Sequence, residues 1–63
     1  MDLADYLRQL NLSKREFARL MWVSPSSVYR WLNGEVMPSR SHLARMAEVT
    51  EGKIDPASFL KGL

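Results

Sequence analysis

Two helix starts stand eleven residues apart, at Ser13 and Ser24, and almost nothing fits between the helices they open. Ser13-Lys14-Arg15-Glu16 has the form of a capping box. In that arrangement the Ser13 hydroxyl accepts from the Glu16 N–H, and the Glu16 carboxylate accepts from the Ser13 N–H. Leu12 before the cap and Phe17 after it form a hydrophobic staple. Phe17, Ala18 and Met21 then mark an inward face. Ser24 is the cap of the next helix, and Pro25 is its first residue, where a missing N–H costs nothing. Val23 and Val28 supply a second staple; Val28, Trp31 and Leu32 face inward, and Asn33-Gly34 stops the helix. Only Trp22 and Val23 separate Met21 from Ser24. So short a link forces the two axes to cross steeply, and the first helix holds the second outward.

The rest of the chain also has helical spacing. Leu3, Leu7 and Leu10 form one stripe, with Asp2 as N-cap and Asn11 as a left-handed terminator. After a loop over 35–38, a fourth helix starts near Ser39 or Ser41 and runs to about Thr50. Its expected buried positions are Leu43, Met46, Ala47 and Val49, and Gly52 is expected to end it. Ile54-Asp55-Pro56 opens a last short turn or helix, with Asp55 as cap and Ile54 stapled to Phe59. No stretch alternates long enough for a strand. The expectation is an all-α, compact bundle of about five short helices, with residues 1–63 forming one domain.

Composition limits what such a bundle can do. Of 63 residues, 46% are hydrophobic, enough for one small core. A domain of this size buries only roughly 60% of the surface its unfolded chain exposes, so its stability is on the order of 3–9 kcal/mol. There is no room for a second domain or for a large buried catalytic cleft. Cysteine is absent, which removes disulfides and thiolate zinc sites and fits a cytoplasmic setting. No apolar run is long enough for a membrane span. Met1-Asp2-Leu3-Ala4-Asp5 lacks the basic start of a signal peptide, and Met1 with an early cap reads as a natural start.

The net charge of +2 is unevenly placed: residues 1–12 carry −1, residues 13–45 carry +4, and residues 46–63 carry −1. The basic excess coincides with the two coupled helices, which suggests a polyanionic partner. The second of these helices presents Pro25, Ser26, Ser27, Tyr29 and Arg30 on the face left free by its apolar positions. Ser26 and Arg30 are four apart and point the same way. Small polar residues at the tip, then a long Arg one turn later, suit entry into a major groove. Arg30 can pair bidentately with guanine or grip a phosphate, and the helix N-termini at Ser13 and Ser24 offer N–H groups to phosphates.

The stretch from Ser13 to Gly34, with Pro38-Ser39 after it, resembles the lambda-repressor-like helix-turn-helix family of phage Cro proteins and repressors. The matching positions are Ala18, Leu20, Val23, Val28, Trp31, Asn33, Gly34 and Pro38, and the likeness extends from about Leu7 to Leu60. It implies double-stranded DNA binding by the 25–32 helix and a role in transcription regulation. It places base reading at Ser24, Pro25, Ser26 and Arg30, with Ser27 and Tyr29 at the flanks. It places phosphate contacts at Lys14, Asn33, and Ser39 or Arg40. It also implies a homodimer on two half-sites about one helical turn apart. For the dimer contacts the apolar tail offers Ile54, Phe59, Leu60 and Leu63.

One position departs from the family pattern. The turn residue, usually Gly, is Trp22. Either the turn carries strain of about 1–2 kcal/mol or it has another shape. Trp22 itself has three open placements: covering the turn, meeting a partner, or lying exposed.

Plainer readings account for the remaining candidates. Trp31 belongs in the core. His42 has no second ligand group at metal spacing, and no base is placed to activate Ser24, Ser26 or Ser27. The four Met residues read as gap fillers, and Arg19 and Arg45 as solvated helix faces. No enzyme activity, cofactor, metal, membrane or small-molecule substrate is expected. The rival to DNA reading is a protein-interaction or antitoxin-like module on the same fold.

Overall fold

The computed structural model describes residues 1–60, with Leu60 described by its backbone alone. Four α-helices run in chain order: α1 Leu3–Leu10, α2 Lys14–Met21, α3 Pro25–Leu32 and α4 Arg40–Val49. A short 3-10 helix, Pro56–Leu60, follows and is the fifth helical segment. No strand occurs among the described residues.

The starts follow the sequence closely. Asp2 accepts from the Asp5 N–H at 2.9 Å and caps α1. At α2 the capping box is complete: the Glu16 N–H donates to Ser13 Oγ at 3.0 Å, and the Ser13 N–H donates to Glu16 Oε1 at 2.9 Å. Ser39 caps α4, accepting from the His42 N–H at 3.3 Å. Asp55 accepts from the Ala57 N–H at 3.0 Å and starts the 3-10 helix. The α3 start is different. Ser24 occupies the cap position, but its side chain caps nothing. Its hydroxyl lies 3.4 Å from Ser27 Oγ instead.

All four helices end in one geometry. A left-handed residue closes each, at Asn11, Trp22, Gly34 and Glu51, with φ of 55°, 59°, 73° and 55°. In each case the following N–H reaches five residues back. Leu12 reaches Leu7, Val23 reaches Ala18, Glu35 reaches Arg30, and Gly52 reaches Ala47, at 2.9–3.0 Å. This paired closure satisfies the terminal carbonyls of the helix. The α4 terminator is thus Glu51, not the expected Gly52, which follows it with φ of 76°.

The core joins Leu3, Tyr6 and Leu7 of α1 to Phe17, Ala18 and Met21 of α2, Val28 and Trp31 of α3, Met46 of α4, and Ile54. Phe17 and Val28 are fully buried at its centre, and Tyr6 meets Phe17 edge-on with ring centroids 6.2 Å apart. Two expectations fail here. Leu10 is 47% exposed. The left-handed turn at Asn11 leads the chain off the helix axis and seats Leu12 against the core instead. Ala47 is exposed as well. Met46 and Thr50 share the inward face of α4 one turn apart, and Ala47 lies about 100° around from Met46. The buried Thr50 hydroxyl donates to the Met46 carbonyl at 2.7 Å. The chain start is tied to its last turn. The Met1 ammonium donates to the Lys53 carbonyl, and the Asp55 N–H donates to the Met1 carbonyl, both at 3.1 Å.

Candidate nucleic-acid interface

α3 is held by α2 beneath it and by its own apolar face. Val28 and Trp31 are sunk in the core, with Leu32 half-buried beside them. That leaves Ser24, Pro25, Ser26, Tyr29 and Arg30 exposed and Ser27 half-buried, so the expected outward face is the observed one. Ser26 and Arg30 stand one turn apart on it. The Arg30 guanidinium makes no hydrogen bond or ion pair among the described residues, while Arg8 and Arg45 each pair with a carboxylate. An uncommitted guanidinium on the exposed face of a rigid helix, one turn from its slim tip, can reach a base edge or a phosphate without first breaking a contact.

Lys14 lies at the start of α2, with Nζ 4.9 Å from the centre of the Tyr29 ring on α3. This cation–π contact steers the ammonium toward the exposed side of α3. Lys14, Arg15, Pro25 and Tyr29 share an open groove of about 550 Å³ between α1, α2 and α3. At the other end of α3, Asn33 Nδ2 donates to Glu35 Oε2 at 3.2 Å. The Ser39 hydroxyl is occupied by its cap, by Ser41 Oγ at 3.2 Å and by His42 Nδ1 at 3.1 Å. Arg40, next in the chain, is exposed. Of the two residues considered after the loop, Arg40 is therefore the one free to reach outward. His42 lies with its ring centre 5.4 Å from that of Trp31.

Glu16 holds its carboxyl below the ordinary carboxylate range, chiefly because the Ser13 N–H donates to it. The Ser13 hydroxyl acts in the same direction. The acid nearest the start of α2 is thus bound up in the cap.

Trp22 is left-handed, so the turn takes the strained shape rather than another. Its side chain is 77% exposed. The surprise is Arg45. Its guanidinium carbon lies 3.7 Å from the centre of the Trp22 ring, while Nε and Nη2 donate to the Leu20 carbonyl at 3.2 and 3.0 Å. An arginine read as a solvated helix face instead joins α4 to the end of α2. No local spacing links positions 25 residues apart, so no sequence pattern announces the contact.

The tail departs from expectation. Ile54 is 3% exposed, a core residue of the single chain, and has no surface left for a dimer contact. Phe59 is partly buried against the same core. Leu63 and the Leu60 side chain lie outside the described residues. Among the described residues no cluster of three or more potential ligands could hold a metal ion, and no helix is long and apolar enough to cross a membrane.

Two short helices crossing at a tight turn, the second bared along one face, define a helix-turn-helix unit. The helix-turn-helix family model matches residues 3–56, and the chain belongs to that family, in its lambda-repressor-like form. It is 50% identical over 40 residues to an uncharacterized HTH-type transcriptional regulator of Haemophilus influenzae (strain ATCC 51907 / DSM 11121 / KW20 / Rd). That alignment covers 64% of this chain but 17% of the relative, so the shared part is a small fraction of the longer protein. No solved structure matches the chain significantly.

Proposed function

We propose that residues 1–63 act as one sequence-specific double-stranded DNA-binding domain of a transcriptional regulator, with α3 in the major groove. The observation that carries this reading is the bare face of α3. Ser24, Pro25, Ser26 and Arg30 are exposed on a helix whose other face is locked into the core. Slim residues at the tip let the helix approach base edges, and Arg30 supplies the bidentate donor that suits guanine. Ser27 and Tyr29 flank this strip. Lys14, Asn33 and Arg40 grip phosphates on either side and fix the register, with Ser39 acting mainly by capping α4. The name of the Haemophilus relative agrees with a regulatory role.

A single module of this size covers only roughly 600–1,000 Å² of DNA. The reading therefore includes a homodimer on a pseudo-palindromic operator, in the manner of phage Cro and repressor proteins, acting in the cytoplasm. With Ile54 in the core, Phe59, Leu60 and Leu63 remain the candidate dimer contacts in the tail. No catalytic step, cofactor or small-molecule substrate enters this role.

Selection of binding duplexes from a random pool at moderate salt tests the proposal. Enrichment of an inverted repeat is the expected result. Arg30→Ala should then lose roughly 1–3 kcal/mol on the selected duplex and relax specificity at one position. A pool that shows no enrichment, with binding that vanishes as salt rises, would instead favour the protein-interaction module. An enriched single half-site would keep DNA reading and remove the symmetric dimer.

A further inference from the structure

We propose that Arg45 is a positioning residue that sets the aim of α3 by clamping Trp22 in its left-handed turn; the inference rests on the DNA-reading role of α3. The turn from α2 into α3 consists of Trp22, Val23 and the cap residue Ser24, so the dihedral angles of Trp22 help set the direction in which α3 leaves. A residue bearing a Cβ resists φ of 59°. The Val23 N–H, donating to the Ala18 carbonyl at 3.0 Å, favours that conformation, but the packing of Trp22 into the core adds nothing, because its side chain is 77% exposed.

Arg45 provides what the core does not. The guanidinium is planar, and one of its faces and its edge matter here. One face lies on the indole, 3.7 Å from the ring centre. The edge forks onto the Leu20 carbonyl, at 3.2 Å from Nε and 3.0 Å from Nη2. That carbonyl lies in the last turn of α2, where the helix itself supplies no donor. Arg45 is in turn steadied by Glu48 Oε2 at 3.5 Å from Nη1, and its own side chain is only 27% exposed. One side chain from α4 therefore grips both the end of α2 and the residue that aims α3. Lysine cannot make this contact, since a point charge neither forks nor lies flat.

The test uses wild type, R45M, W22G and the R45M/W22G double variant. Affinity is read by fluorescence anisotropy on a selected duplex and on a scrambled one. The ratio of the two is the readout, because loss of one positive charge weakens both duplexes alike. R45M should lower that ratio about tenfold, the effect of roughly one mismatched base pair. The double variant should recover most of the ratio, because glycine adopts the left-handed turn unaided. In thermal unfolding, W22G should raise the midpoint in the R45M background by about 4–8 °C, and by much less in the wild-type background, where it also forfeits the stack.

The outcomes separate the ideas. A ratio that survives R45M, or a double variant no better than R45M, overturns the aiming role. Equal midpoint shifts for W22G in both backgrounds overturn the clamp. A wild-type protein that does not distinguish the two duplexes overturns DNA reading, and the aiming role with it, while the midpoint comparison still judges the clamp.

Discussion

Replacing Glu51 with glycine is expected to make the protein more stable by about 1 kcal/mol. Glu51 closes α4 with φ of 55°. Its side chain is exposed and makes no hydrogen bond or ion pair among the described residues, so removing it breaks no contact. Left-handed backbone costs a residue with a Cβ about 1–2 kcal/mol. Glycine escapes that strain but gives back roughly 0.5–1 kcal/mol through its greater freedom in the unfolded chain. A second contribution is electrostatic. Glu51 and Glu48 both sit at the C-terminal end of α4, where the helix dipole disfavours carboxylates by about 0.3–1 kcal/mol at an exposed site. For 63 residues the entropy of unfolding is about 0.13 kcal/mol/K, so the midpoint should rise by about 8 °C. Thermal unfolding followed by far-ultraviolet circular dichroism measures it, with a urea titration as a second check. Asn11→Gly is the internal control. Asn11 closes α1 with the same φ of 55°, but asparagine tolerates this region and carries no charge, so its gain should be near zero. A midpoint that falls or stays put in Glu51→Gly, or equal gains at both sites, would refute the reasoning.

Three further outcomes follow from the core, the cap and the charged face. Val28→Asp should abolish the folded state, because it places an unpaired charge at a fully buried position in a protein with little stability to lose; retained helical dichroism at room temperature would contradict this. Glu16→Gln should destabilise the protein at neutral pH and matter less as acidity rises. The folded Glu16 carboxyl titrates below its ordinary 4.5, so its contribution is present above that value and is lost as pH falls through the depressed one; a difference in urea midpoint from wild type that persists below that range would argue against it. Lys14→Ala should weaken binding to all duplexes alike and reduce the slope of log affinity against log salt by about 1, whereas a selective loss on one sequence would make Lys14 a base reader.

Much of this molecule is legible in its sequence because its helices start by local rules. Ser13 with Glu16, Asp2 with Asp5, Ser39 with His42 and Asp55 with Ala57 form their caps within three residues, and each can be read without knowing the fold. The bare face of α3 is legible for a related reason. Once Val28, Trp31 and Leu32 are assigned inward, the remaining positions of an eight-residue helix have nowhere else to point. Side chains whose fate depends on neighbours distant in sequence are less legible. Leu10 fits the periodicity of α1 but lies beyond the last point where another element covers it. Ile54 looks like part of a sticky apolar tail until the chain folds back and places it under the core.

The helix ends make the same point more sharply. Four closures share one backbone geometry, yet only Asn11 and Gly34 carry the residue types that announce it. A left-handed terminator leaves a mark in the sequence only where the residue itself avoids the strain. Where the strain is offset from elsewhere, the local sequence is silent. Glu51 bears it with no evident compensation. Trp22 bears it under Arg45, whose guanidinium reaches across from α4 to the indole and the Leu20 carbonyl together. The position in the turn that looks least suited to its backbone thus meets a residue on α4, and under the proposed clamp the direction of α3 depends on that pair rather than on the turn alone.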